Sequence, residues 1–275
     1  MTTALAIFGY NRPDHLRKCL EAVKRNKKIP TFIFLDGNYT RDVYKVAESF
    51  KRGYGYKEYC FVTIVLRCFR LGCAKSIYSG IDHVLKRHDS CIILEDDIIV
   101  SDNFIDYMLK GLGVYKDKQD VGSLTGYTLI KNKEIYASKR GCAWGWATWK
   151  DRWESFNRNI EPLDNWGDDI LPILDRALKG TVDTWDAQFS LYHLVNNLKC
   201  IHPPESLVKN IGCDGSGTHF TKGLSKFDTD INNVEPLFKY PVEIDEGIRK
   251  QFCKIHDLSL TRKTINFLKT LIKQK

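Results

Sequence analysis

Short apolar runs alternate with amphipathic stretches through the first half of the chain. Ala4 to Tyr10, Thr31 to Leu35, Phe61 to Leu66 and Cys91 to Leu94 are near-continuous apolar runs of strand length. Between them, Leu16, Cys19, Leu20 and Val23, then Val43, Val46 and Phe50, then Ile77, Ile81 and Val84 fall at the spacing of one helix face. Phe104 and Met108 open a fourth helix, and Val121 to Leu124 reads as a fifth strand. Runs that are apolar throughout belong to strands covered on both faces. The pattern therefore predicts an α/β fold with a mainly parallel sheet flanked by helices. The second half is less regular. Gly141 to Trp153 is rich in Trp and Gly, Leu171 to Leu178 and Asp186 to Asn197 read as helices, and Cys200 to Phe220 reads as a loop with a short strand. No linker separates the halves, so residues 1–130 and 131–257 are expected to share one core, with 258–275 as a separate terminal helix.

Composition narrows the class. With 275 residues, 43% hydrophobic and 28% charged, the chain can bury a sizeable core in one large α/β domain. No apolar run approaches the ~20 residues of a membrane-spanning helix. Met1 to Ala6 lacks the pattern of a signal peptide and reads as the first strand. The nine cysteines include no C-x-x-C pair, which suits reduced residues of an intracellular protein and gives no zinc spacing. The net charge of +8 suggests a phosphate-bearing ligand, a membrane surface or nucleic acid. Nucleic acid is the weakest of these, because the basic residues do not interleave with aromatics in one stripe.

Each early strand ends in a polar cluster: Asn11-Arg12-Pro13-Asp14, Asp36-Gly37-Asn38, Arg67 through Arg70-Leu71-Gly72, and Glu95-Asp96-Asp97. In open α/β sheets, ligands bind beyond the carboxyl ends of the strands. Turn chemistry accounts for any one cluster, but not for three consecutive acids among repeated arginines. Adjacent carboxylates after a buried strand are costly unless a cation sits among them. Oxygen-only ligands suit Mg2+ or Mn2+, completed by a substrate diphosphate.

Here the residues resemble a family. Ile92-Ile93-Leu94-Glu95-Asp96-Asp97-Ile98 is similar to the D-x-D segment of GT-A nucleotide-sugar glycosyltransferases, in the three-acid form of N-acetylglucosaminyltransferase I. Ile7 to Pro13, Phe34-Leu35-Asp36-Gly37, Leu71-Gly72-Cys73-Ala74-Lys75, Gly145-Trp146, Trp185-Asp186, Cys200 to Pro204 and Gly217 to Phe220 resemble that family in the same order. The stretch W-G-W-A-T-W, Trp144 to Trp149, resembles bacterial polysaccharide glycosyltransferases. The resemblance implies a GT-A fold and an inverting transfer from a nucleoside diphosphate sugar, UDP by default, to a glycan or lipid-linked glycan. It implies that Asp36 contacts the base, that Arg12 and Lys75 lie near the nucleotide or its phosphates, and that Glu95 and Asp96 lie near the ribose and donor sugar. It further implies that Asp97 holds the metal, with His219 as a second contact, and that Asp186 is the general base. Trp146, with Trp144 and Trp149, would form a sugar platform or pack in the core. Two features depart from that family: Ala187 stands where a second acid follows Asp186, and no N-terminal membrane anchor is seen. A sugar-1-phosphate nucleotidyltransferase and a non-catalytic carbohydrate- or nucleotide-binding module compete with this reading. The first should have a Gly-rich phosphate loop after the first strand, and the second needs neither three acids nor Asp186.

Two further segments carry expectations. Gly212, Gly215 and Gly217 make the stretch up to His219 a loop expected to close over the diphosphate. From Leu258 onward, Ile265, Leu268 and Ile272 form one stripe, while Arg262, Lys263, Lys269, Lys273 and Lys275 supply charge with no acid. A basic amphipathic helix of this kind can lie on an anionic bilayer or pack on its own domain. The expected location is cytoplasmic, peripheral at the inner face of a bacterial membrane.

Overall fold

The computed structural model describes residues 1–54, 61–156, 158, 185–214 and 227–256. The apolar runs form β1 (Thr3–Gly9), β2 (Thr31–Leu35), β3 (Val62–Leu66) and β4 (Ser90–Glu95), joined by α1 (Pro13–Lys24), α2 (Arg41–Tyr54) and α3 (Cys73–Leu85). These strands lie parallel in the order β3-β2-β1-β4, with Ile7 between Ile33 and Leu94. Both faces are covered, which is why the runs are apolar throughout. Leu5, Ile7, Ile33 and Leu94 pack with Leu16, Leu20 and Val43 of α1 and α2. Ala4, Ala6, Phe8 and Phe34 pack on the other face with Ile77, Ile81 and Val84 of α3.

The chain continues through β5 (Ile98–Val100), α4 (Phe104–Tyr115), β6 (Val121–Thr125), β7 (Tyr136–Ser138), β8 (Trp146–Trp149) and α5 (Lys150–Glu154). Then follow α6 (Asp186–Val195), β9 (Lys199–His202), β10 (Val208–Asn210), a 3-10 turn at Gly212–Asp214 and α7 (Glu246–His256). Eight strands form one sheet in the order β3-β2-β1-β4-β8-β6-β9-β7, and β5 pairs with β10 in a separate ribbon. The expected α/β class holds: this is a mixed, mainly parallel sheet flanked by helices, in one domain. One strand differs in kind. β8 runs antiparallel between β4 and β6, with Trp146 opposite Ile93 and Thr125. Its residues alternate between the two cores, Trp146 into one and Ala147 and Trp149 into the other. Among the described residues, no helix is long and apolar enough to cross a membrane. The helix expected at Leu171 to Leu178 and the basic segment from Leu258 lie outside the described residues.

Candidate active site

The carboxyl ends of β1, β2 and β4 meet at one edge of the sheet. After β1 the chain turns through Tyr10 and Asn11 to Arg12, and Pro13 starts α1, where its missing N–H costs nothing. Arg12 reaches across to β4's end. Its guanidinium donates to Asp96 Oδ1 and, at 2.9 Å, to Asp97 Oδ2. Glu95, the last residue of β4, feels the negative charge of both aspartates and of Asp186, the first residue of α6.

Three consecutive carboxylates beside one guanidinium leave an excess of negative charge, and the proton affinities of Glu95 and Asp96 register it. Burial pushes Glu95 up to about 8, with repulsion from Asp97, Asp186 and Asp96 adding to the rise and Arg12 opposing it. Burial also pushes Asp96 up to about 6, against the pull of Arg12 and with help from Asp97. For Arg12 itself, desolvation works against the charge, but the two aspartates outweigh it and hold the guanidinium firmly protonated. Raised proton affinities at Glu95 and Asp96 beside a fixed guanidinium mark a site that favours positive charge.

The segment after β10 holds the backbone of Asp97. Its carbonyl accepts the Ile211 N–H at 2.9 Å, and Gly212 N–H donates to Asn210 Oδ1 at 2.7 Å. Gly212 lets the turn approach closely: a Cβ would stand 2.3 Å from Asp97 Oδ2 and push that carboxylate aside. His15, one turn into α1, pairs its Nε2 with Asp214 Oδ2 at 3.2 Å and so ties α1 to the same 3-10 turn. The sequence reading missed His15 and Asp214. The available signal was that a residue three after Arg12 shares the α1 face turned toward β4.

Asp36 lies at the same edge, 6% exposed. Its two oxygens accept the N–H groups of Leu71 and Gly72 at 2.9 and 3.0 Å, so it anchors the turn after β3. Gly37 lets that turn approach, since a Cβ would lie 1.9 Å from the Phe69 carbonyl carbon. Arg70 in this turn sits over the Tyr10 ring at 4.9 Å. Lys75 is exposed in the first turn of α3.

Trp146 is a correction. It is 0% exposed, stacked on Trp185 at 5.0 Å and packed on Phe189 at 4.5 Å, so it cannot serve as a donor-binding platform in this structure. The reason is β8: a central strand turns every side chain into a core. Its role is indirect, because the Trp185 it supports immediately precedes Asp186. Trp149 is equally enclosed, whereas Trp144 is half-buried against Tyr127. His219 and the rest of the expected glycine-rich loop beyond Asp214 lie outside the described residues.

The donor set fits a hard divalent cation. Arg12 is a stand-in cation between two carboxylates, and every ligand on offer is an oxygen. Among the described residues, no three His, Cys, Asp or Glu side chains converge to hold an ion on their own. Further ligands would come from a phosphate-bearing substrate, the usual arrangement for Mg2+.

A sequence profile of Glycosyl transferase family 2 matches residues 5–170, which contain Arg12, Asp36 and the acid cluster. The chain belongs to that family. The protein is thus a glycosyltransferase with a GT-A fold. No curated protein shows significant similarity to the sequence. Among solved structures, S. aureus TarS superposes with a TM-score of 0.53 at 9% identity, covering 78% of this chain and 37% of that one. The mannosyltransferase PcManGT from Pyrobaculum calidifontis, in complex with GDP-Man and Mn2+, gives a TM-score of 0.48 at 12% identity, covering 74% and 54%. This family 2 glycosyltransferase therefore spans less than two thirds of either protein, and the likeness to TarS is one of fold.

Proposed function

We propose that this protein is a metal-dependent, inverting glycosyltransferase that moves a sugar from a nucleoside diphosphate donor, a UDP-sugar first, to a hydroxyl of a glycan or lipid-linked glycan. A role in bacterial surface polysaccharide synthesis follows from the W-G-W-A-T-W resemblance. The observation that carries the reading is the charge arrangement in a family 2 chain: Arg12 donates to Asp96 and Asp97 at the carboxyl end of β4, directly after Glu95. Residues 1–130 supply the donor side, and Asp186 brings the acceptor side to it.

Asp97, with the donor's phosphates, would hold Mn2+ or Mg2+, which neutralises the charge on the departing nucleoside diphosphate. The protein's own groups do the rest. Asp36 fixes the turn after β3 and leaves lone pairs toward the base. Glu95 and Asp96 face the ribose and the sugar. Asp186 takes the proton of the acceptor hydroxyl as its oxygen bonds to the anomeric carbon, and the electrons of the breaking C–O bond leave with the phosphate. The acceptor attacks opposite the leaving group, so the product is inverted.

Donor hydrolysis and transfer across UDP- and GDP-sugars, with Mn2+ or with EDTA, test this reading. Asp97→Ala should abolish the Mn2+-dependent turnover without unfolding the protein. Full activity in EDTA, or in Asp97→Ala, removes the metal from the mechanism.

A further inference from the structure

Arg12 covers the oxygen that the reading above assigns to the cation. Asp97 Oδ2 accepts from the Arg12 guanidinium at 2.9 Å, while the same guanidinium also holds Asp96. Both side chains keep an open side, 19% exposed for Arg12 and 15% for Asp97, so the pair is not sealed in the core. A guanidinium and a divalent ion cannot share one carboxylate oxygen without repelling each other. The arginine also has somewhere else to go. It lies at the start of α1, where helix N–H groups favour an anion, and its planar fork matches a phosphate as well as it matches a carboxylate.

We propose that Arg12 and the divalent cation exchange places. In the donor-free protein, Arg12 is the tethered counter-ion of Asp96 and Asp97. When a nucleoside diphosphate arrives, the guanidinium turns to its phosphates and the cation takes Asp97. This proposal rests on the transferase reading and adds a binding order to it. The free protein binds the cation weakly. Cation and nucleotide reinforce one another beyond their direct contact, because each is favoured by Arg12 leaving the carboxylates. By linkage, each raises the affinity of the other by the same factor.

Two binding measurements on the full chain read this without any turnover. Mn2+ binding is followed by the loss of the free-ion EPR signal, with no nucleotide present. Binding of UDP, GDP and ADP is followed by calorimetry at saturating Mn2+. Arg12→Gln should act in opposite directions: Mn2+ binds the free variant about tenfold or more tightly, and the favoured nucleotide binds more weakly, within the range usual for coupled sites. Arg12→Lys keeps the charge without the fork. It should restore weak Mn2+ binding while leaving the nucleotide loosely held. If Arg12→Gln leaves Mn2+ affinity unchanged, or leaves nucleotide affinity unchanged, the exchange is overturned and the transferase reading stands. The exchange is likewise overturned if Arg12→Lys binds Mn2+ as tightly as Arg12→Gln. If no nucleoside diphosphate binds the wild type with Mn2+, the transferase reading falls, and the exchange falls with it.

Discussion

Lowering the pH from 7.5 to 5 acts on two buried imidazoles, one of them on the helix that carries Asp186. In α6, His193 Nδ1–H donates to the Phe189 carbonyl at 2.9 Å, and Nε2 accepts from Ser123 Oγ of β6 at 2.8 Å. In β9, His202 donates from Nδ1 to the Tyr127 carbonyl at 2.9 Å and pairs Nε2 with Ser138 Oγ at 2.9 Å. A carbonyl can only accept, which assigns the proton to Nδ1 in both rings. Burial pushes each imidazole down to about 4, against the smaller pull of its carbonyl. A histidine whose folded value lies below its unfolded value of about 6.5 stabilises fully above that value and loses the contribution as the pH falls toward 4. At pH 5 the unfolded chain protonates both rings and the folded chain neither. Linkage then gives a loss of about 2 kcal/mol per ring between pH 7.5 and 5, or about 4 kcal/mol for the pair. That is a large part of a typical 5–15 kcal/mol stability. Urea unfolding at both pH values, for the wild type, His193→Gln, His202→Gln and the double variant, isolates the effect. Each single variant is less stable at pH 7.5 but loses about 2 kcal/mol less on acidification, and the double variant about 4 kcal/mol less. The carboxylates titrate in all four proteins and cancel in the difference. If the double variant loses as much as the wild type over this interval, the two imidazoles are not the acid-sensitive groups.

Other perturbations read the site directly. Asp186→Asn should bind donor and lose transfer by about 10²-fold or more, and NMR of the wild-type product should show inversion; retention ends the proposed mechanism. Gly212→Ala pushes a methyl against Asp97 Oδ2, so UDP binding in Mn2+ should weaken by about 10-fold or more with the melting temperature nearly unchanged, as for a lost ligand-orienting contact. Wild-type binding by that variant means the 3-10 turn does not position Asp97. Trp146→Ala opens a cavity beneath Trp185 and should cost about 3–5 kcal/mol in denaturant unfolding; a loss below 1 kcal/mol contradicts a packing role. The full chain should sediment with anionic vesicles at low salt and a chain ending at Asp257 should not; equal binding by both rejects the terminal segment as an anchor.

The parallel strands β1 to β4 were legible because burial on both faces leaves an unbroken apolar run. Glu95-Asp96-Asp97 was legible because three acids in sequence stay adjacent in any fold. Trp146 was left between platform and core for a physical reason: an aromatic side chain suits a sugar platform and a core equally, and the sequence does not say which way a four-residue strand faces. β5 was hidden because Ile98–Val100 continues the acid motif and is too short to show a period. The His15–Asp214 pair joins the first helix to a turn almost two hundred positions later, and no local pattern encodes such a contact. Arg12 was placed at the nucleotide by resemblance. Its present partners, Asp96 and Asp97, became visible only when β1 and β4 were seen to be neighbours.

The antiparallel strand at the centre of the sheet bears on how the chain is made. β4 is complete once Glu95 has been synthesised, but its outer edge waits for Trp146 to Trp149, which pair with Ile93 back to Ser90. Until then an apolar strand presents unpaired N–H and C=O groups along one side, the condition under which nascent chains stick to one another. A fragment ending before Trp146 is therefore expected to self-associate through that edge. The parallel strands and the tryptophan strand that closes them form one unit of folding, although the chain writes them far apart.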